Sequence, residues 1–144
     1  MNIPLIFLWT IFAFVSWSFW EAYIEGKNAW GKKQVGWKKR ILGCYDLTAY
    51  HFWLNWMLFF FMSLPLIING WDTRLFGVLI SASAIGFIIQ DLMWYVINPF
   101  YSLKKFNPKD ANWYPWIKIG FFKIPRTYVM GIVVGILSWY FLWR

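Results

Sequence analysis

Four apolar segments, each about as long as a bilayer is thick, dominate this chain of 144 residues. They cover approximately residues 3–24, 45–68, 75–97 and 125–143. About 20 helical residues span the roughly 30 Å hydrocarbon core of a bilayer. Hydrophobic residues make up 60% of the chain, more than the core of so short a protein can bury. The sequence therefore predicts an all-α integral membrane protein, a four-transmembrane-helix bundle that forms a single domain over residues 1–144.

Basic residues are concentrated in two long connectors, residues 26–43 and 98–124, which are also rich in aromatic side chains. Together with Arg126 they hold twelve of the fourteen Lys and Arg residues. Loops rich in Lys and Arg stay on the cytoplasmic side of a membrane, and Trp and Tyr rings favour the headgroup level. We therefore expect both connectors to be cytoplasmic and both termini to be outside, an N-out/C-out topology in the cell membrane.

The formal net charge of +8 does not indicate a nucleic-acid partner, because the basic residues lie next to apolar segments. Membrane lipids with anionic headgroups at the cytoplasmic face are the better partners for such connectors. The single cysteine, Cys44, excludes an intramolecular disulfide and a paired-cysteine metal site. We expect it to be a small apolar residue near the start of the second helix.

Small residues predict where the helices approach one another. The third apolar segment begins with several of them, and Gly131 and Gly135 form a GxxxG pattern in the fourth. The short link at residues 69–74 makes the second and third helices antiparallel neighbours. Four helices enclose little space, so we also expect an oligomer or a subunit of a larger complex.

Three ionisable side chains from three different helices fall at nearly one depth. Glu21, His51 and Asp91 each lie about five to seven residues from the cytoplasmic end of their segment, roughly 7–11 Å inside the interface. Glu25 lies one turn nearer the surface. Ionisable groups in a membrane segment are costly and normally face a partner or a cavity. We therefore expect these side chains to converge.

Carboxylate and imidazole ligands together suit Zn, Mn or Fe, so the predicted metal ligands are Glu21, His51 and Asp91. The cofactor is otherwise unknown from the sequence. The candidate catalytic residues add Glu25 and Asn98 to these three. In this hypothesis His51 and one carboxylate share proton transfer or metal binding, while other polar and basic side chains orient or attract the ligand: Asn55, Tyr95, Lys27, Lys104 and Lys105.

Two structural interpretations of the same residues remain open. In one, Lys27, Lys123 or Arg126 reaches back to neutralise the acidic groups in an ion-pair network. In the other, the polar side chains only hold the helices together, with Asp91 protonated. Neither interpretation requires a ligand.

For function, the leading hypothesis is a small membrane enzyme or binding protein for a lipid-like molecule, with its site near the cytoplasmic leaflet. One alternative is a proton- or cation-coupled transporter, and another is a non-catalytic subunit of a membrane complex. The chain contains no Walker loop, GxSxG, HExxH or paired CxxC motif. The sequence itself does not decide between these classes.

Overall fold

The structure is a computed structural model that describes the chain apart from residues 1, 32, 34 and 42–44, and apart from the side chains of residues 31, 45 and 46. Its elements in chain order are α1 (Ile3–Glu25), β1 (Lys38–Ile41), β2 (Tyr45–Thr48), α2 (Ala49–Asn69), α3 (Thr73–Ile97), β3 (Trp116–Ile119), β4 (Phe122–Pro125) and α4 (Arg126–Ser138). A π-helical turn, Trp139–Trp143, continues α4. The prediction for Cys44 lies outside the described residues.

All four helices are long and apolar enough to cross a membrane, which agrees with the helical architecture predicted. Their bounds follow the predicted segments except at α2, which begins at Ala49 and not at residue 45. The reason is local, because residues 45–48 form a strand and Thr48 then caps the helix. Its Oγ1 accepts a hydrogen bond from the His51 backbone N–H at 3.3 Å.

Each long connector contains a two-stranded antiparallel hairpin that the sequence analysis did not predict. Strands β1 and β2 pair with Lys38 opposite Thr48, and β3 and β4 pair with Lys118 opposite Lys123. Strand β3 is short and mostly apolar, with Lys118 as its one polar residue. Gly120 supplies the positive φ of 59° in the turn between β3 and β4.

Helix α3 lies at the centre, with α1 and α4 packed against it. Close approach depends on glycine, because a Cβ on Gly86 would overlap the ring of Phe14 in α1. On the other side of α3, a Cβ on Gly131 would come within 3.1 Å of the Ala84 carbonyl oxygen. The GxxxG pattern of α4 therefore packs against α3 within the same chain, as small-residue motifs do in lipid.

Hydrogen bonds between side chains and backbone join α3 to α4. The Ser81 hydroxyl donates to the Gly135 carbonyl at 3.0 Å, and the Ser138 hydroxyl donates to the Gly77 carbonyl at 2.8 Å. The Trp143 indole N–H donates to Ser81 Oγ at 2.8 Å. These bonds pair hydroxyl, carbonyl and indole groups at the contact between the two helices.

Helix α2 contacts the others much less, although a short link connects it to α3. Of its residues only His51 and Leu54 are buried. A groove of about 970 Å³ separates α1 from α2 near the α2–α3 link. The contacts of α2 therefore concentrate at its first turns.

We call the end of the molecule where α1 and α3 end and α2 and α4 begin the connector end. An aromatic cluster is buried there, with Trp94 and Tyr95 of α3 at its centre. The Asn98 side-chain amide donates to the Gly26 carbonyl at 2.9 Å and ties the end of α3 to the end of α1. The candidate site lies among these packed residues.

Candidate functional site

Two carboxylates and one imidazole meet at the connector end. Glu21 and Glu25 are one helical turn apart on α1 and so share a face. His51 lies in the first turn of α2, and its Nε2 is 3.6 Å from Glu21 Oε1 and 3.6 Å from Glu25 Oε1. All three residues are buried, with at most 6% of each exposed. One ligand atom from each lies within 4.8 Å of the other two. We call these residues the Glu–Glu–His cluster.

The remaining oxygen of each carboxylate is held by a donor. The Gln90 side-chain amide donates to Glu21 Oε2, and the Trp30 backbone N–H donates to Glu25 Oε2 at 3.3 Å. Both carboxylates therefore turn their Oε1 atoms toward the same nitrogen. The donors fix this orientation, since a carboxylate held at one oxygen loses rotational freedom.

The imidazole is fixed from two sides. The Thr48 hydroxyl lies 2.7 Å from His51 Nδ1, in hydrogen-bond contact. The Trp30 ring stacks on the imidazole with the two centroids 4.1 Å apart and the planes 23° from parallel. Trp30 has a positive φ of 59°, which is uncommon for a residue other than glycine. Its conformation therefore serves both to stack on His51 and to donate to Glu25.

A cavity of about 20 Å³ adjoins the cluster and is lined by Glu21, Glu25, His51 and Asp91. A space of roughly 10–15 Å³ is enough for one water molecule, so an ion of similar size fits. A tetrahedral metal with bonds of about 2.0–2.1 Å separates neighbouring ligands by about 3.3 Å. The observed 3.6 Å separations are close to that value and too long for a hydrogen bond.

Asp91 lines this cavity but is not part of the Glu–Glu–His cluster. Its carboxylate faces the hydroxyl groups of Tyr114 and Tyr128. The predicted metal set of Glu21, His51 and Asp91 thus differs from the set the structure brings together, in which Glu25 takes the third place. The geometry of α3 explains this, because Gln90 faces Glu21 and the next residue is rotated by 100° toward α4.

Asn98, predicted as catalytic, has a structural position. Besides its bond to Gly26, its side-chain oxygen accepts from the Phe100 backbone N–H at 2.9 Å. Its amide therefore donates across to the end of α1 and accepts within the turn that follows α3. Asn55 lies closer to the site and donates to the His51 carbonyl at 2.6 Å.

The predicted basic partners do not pair with Glu21 or Asp91 in the part of the chain that the structure describes. There, no Lys or Arg lies within 4.0 Å of the carboxylate of Glu21 or Asp91. Lys105 instead donates to the Phe100 carbonyl at 2.9 Å. The ion-pair network therefore does not neutralise these two residues within the described chain.

Three residues of the site were missed by the sequence analysis: Thr48, Gln90 and Trp30. Thr48 had a usable signal, since a threonine directly before an apolar helical segment is typical of a helix N-cap. Gln90 is uncharged and gave no signal of its own, although it precedes Asp91 directly. Nothing in the sequence indicated the left-handed backbone of Trp30.

Tyr114, in the connector before β3, completes the wall beside Asp91. Burial, and then the negative charge of Asp91, raises the pKa of its hydroxyl well above the usual value. The hydroxyl therefore stays protonated and can donate to the carboxylate.

No protein-family model matches the chain, and neither does any curated protein or solved structure. The function is therefore inferred from the residues described above.

Proposed function

We propose that the chain is an integral membrane protein that binds a divalent transition metal at Glu21, Glu25 and His51 and acts on, or binds, an amphiphilic molecule beside it. The observation that carries the proposal is the position of His51 Nε2, 3.6 Å from an oxygen of each glutamate. A cation between these atoms would have two carboxylate oxygens and one imidazole nitrogen as ligands.

Membrane insertion is supported by the surface of the helices. Large apolar side chains are exposed along much of their length, for example Trp9, Phe60 and Ile67, at 63–74%. A soluble monomer rarely exposes apolar patches of this extent. The positive-inside rule favours a cytoplasmic connector end with both termini outside, because the connectors are basic.

Metal binding is supported by the surroundings of the ligand atoms. Metal-binding histidines usually donate their second ring N–H to a fixed acceptor, and Thr48 Oγ1 is in place to accept from Nδ1. Three protein ligands leave a further coordination position, as in catalytic zinc sites. A bound metal there supplies Lewis-acid chemistry.

An amphiphilic partner is supported by the space next to the cluster. A cavity of about 270 Å³ includes Glu21, His51 and Asp91 in its wall, together with apolar side chains of α1 and α3. It lies among helices that a bilayer would surround, so a molecule that dissolves in lipid can reach it laterally. Asn98 has no part in this proposal because its side chain is used at the helix ends.

Metal analysis of purified protein in detergent tests the proposal. The protein should carry no histidine tag, since His51 is its one histidine. We expect about one Zn, Mn or Fe per chain in the unaltered protein, and loss of that metal in Glu25→Gln and His51→Gln. Asp91→Asn should keep the metal, because Asp91 lies outside the cluster. Asp72→Asn, at the opposite end of α3, is the matched control.

Two results would contradict the metal proposal: no metal in a folded, monodisperse protein, or unchanged metal content in Glu25→Gln and His51→Gln. Loss of metal in Asp91→Asn and His51→Gln, with metal retained in Glu25→Gln, would instead support the ligand set expected from the sequence.

The topology is tested separately with a reporter fused to the C-terminus. Alkaline phosphatase is active only outside the cytoplasm, so the C-terminal fusion should be active. A fusion in the connector at Lys109 should be inactive. The reverse pattern would overturn the proposed orientation.

A further inference from the structure

The cavity of about 270 Å³ beside the Glu–Glu–His cluster contains polar groups that the cluster does not use. We call it the tyrosine pocket, and define it by Trp17, Phe87, Ile88, Asp91, Tyr114 and Tyr128 in its wall. A buried apolar cavity of about 150 Å³ is enough to bind benzene. The tyrosine pocket therefore has room for a six-membered ring with a polar substituent.

One wall of the tyrosine pocket presents a donor without an acceptor. Tyr128 is 7% exposed, and its hydroxyl makes no hydrogen bond to any described residue. The Trp17 indole N–H is likewise buried without an acceptor among the described residues. A buried polar group without a partner costs about 1–3 kcal/mol, so such groups normally have a ligand or water to bind.

The same wall presents an acceptor. The Asp91 carboxylate faces the Tyr128 hydroxyl, yet that hydroxyl makes no hydrogen bond of acceptable geometry to any described residue. A polar gap of this kind is typically filled by a molecule that bonds to both sides. That molecule must donate to the carboxylate and accept from the tyrosine.

The charges around the tyrosine pocket select against an anion. Asp91 lines it, outside the proposed metal ligands, and no Lys or Arg among the described residues does. A carboxylate or phosphate ligand would be repelled and would offer no donor to Asp91. A quaternary ammonium would be attracted but could not accept from Tyr128.

From these contacts we infer that the tyrosine pocket binds a neutral hydroxyl compound with an apolar ring. Its hydroxyl group donates to Asp91 and accepts from Tyr128, while the ring packs between Trp17, Phe87 and Ile88. This compound would be the amphiphilic molecule of the proposed function. Its binding is argued from the tyrosine pocket alone, and only the part that a neighbouring metal would play rests on the proposed function.

Binding of fluorinated ring compounds tests the inference by ¹⁹F NMR on the full chain in detergent. The probe is 4-fluorophenol, compared with 4-fluoroanisole, 4-fluorobenzoate and 4-fluorobenzylammonium, with protein-free micelles as the blank. We expect saturable binding of 4-fluorophenol. Binding of the methyl ether should be at least tenfold weaker, because it has no proton for Asp91, and the benzoate should not bind.

Single-residue variants test the two proposed hydrogen bonds, to Asp91 and to Tyr128, one at a time. Asp91→Asn should weaken 4-fluorophenol binding about tenfold, the usual effect of losing a hydrogen bond to a charged group. Tyr128→Phe should weaken it about threefold, as for a neutral hydrogen bond. Asp72→Asn, at the far end of α3, should bind as the unaltered protein does. Ala84→Leu, which fills the pocket without altering either polar group, should abolish binding.

Metal content is measured on the same samples, so that each proposal can be contradicted independently of the other. A protein that holds stoichiometric metal but does not bind 4-fluorophenol saturably overturns this inference and leaves the metal site standing. Equal binding by Asp91→Asn, or tighter binding of the anisole, benzoate or ammonium probe, also overturns it. Binding of 4-fluorophenol without any metal supports the pocket and contradicts the metal proposal.

Discussion

Helices α2 and α3 are both apolar enough to cross a membrane, but they are held in the fold in different ways. In the most apolar 18-residue stretch of α3, 44% of the residues are buried, whereas in that of α2 only 11% are. Helix α3 is enclosed by α1 and α4, while α2 meets the rest of the molecule mainly at its first turns. Apolar composition alone therefore does not determine how closely a helix packs against its neighbours.

The difference follows from side-chain size. Gly77, Ser81, Ala82 and Gly86 let neighbouring helices approach α3 closely. Helix α2 instead carries bulky exposed rings along much of its length, such as Phe59, Phe60 and Phe61. Lipid is as apolar as these rings, so burying them against protein brings little gain. At its buried end α2 contributes His51 to the Glu–Glu–His cluster.

The largest effect should come from filling the close contact of α3. Gly86→Leu places a side chain where the Phe14 ring lies, so α1 and α3 must separate. We expect the free energy of unfolding to fall by about 3 kcal/mol, at the upper end of overpacking effects. Unfolding by SDS titration in mixed micelles measures it.

The matched change in α2 is Ser63→Leu, at a half-buried position of the loosely packed helix. It should alter the free energy of unfolding by no more than about 0.5 kcal/mol. Equal losses for the two variants would show that α2 is packed as closely as α3, against the structure.

A smaller effect should follow from releasing the His51 ring. Thr48→Val removes the hydroxyl in contact with Nδ1 and should weaken metal binding about 10–100-fold, as for other residues that orient metal ligands. Thr48→Ser keeps the hydroxyl and should restore affinity. Competition with a chelator measures both.

The control for Thr48→Val is Asp72→Ala, because Thr48 also caps α2. Asp72 caps α3 through the Leu75 N–H at 2.8 Å, far from the cluster. Its loss should cost about 1 kcal/mol of stability and leave metal affinity unchanged. A Thr48→Val protein with normal metal affinity would show that the hydroxyl does not position the ring.

The smallest effect should come from a single hydrogen bond between α3 and α4. Ser138→Ala removes the bond to the Gly77 carbonyl and should cost about 0.6 kcal/mol, the average for such bonds in membrane proteins. Ser16→Ala removes only a bond within α1, to the Phe12 carbonyl, and should cost less. If Ser16→Ala lowered the free energy of unfolding more than Ser138→Ala did, the hydrogen bond between α3 and α4 would not stabilise the fold in the way that the structure indicates.

Helix number and approximate bounds could be predicted from the sequence because apolar length is set by bilayer thickness. The hairpins could not, because strands of four residues such as β3 are too short to show a clear alternation of apolar and polar residues. The closeness of Glu21 and His51 was predictable from their common depth. Which acid completes the cluster was not, because depth does not fix the rotation of α3 that directs Gln90 inward and Asp91 toward α4.

The central claim is that His51 and two glutamates bind one metal, and the single histidine makes a direct test available. The protein, without a histidine tag, is labelled with ¹⁵N-histidine, loaded with Mn²⁺ and studied by pulsed EPR. We expect one ¹⁵N imidazole coupling to the metal, which disappears in His51→Gln. Stoichiometrically bound Mn²⁺ without any histidine coupling would contradict the account.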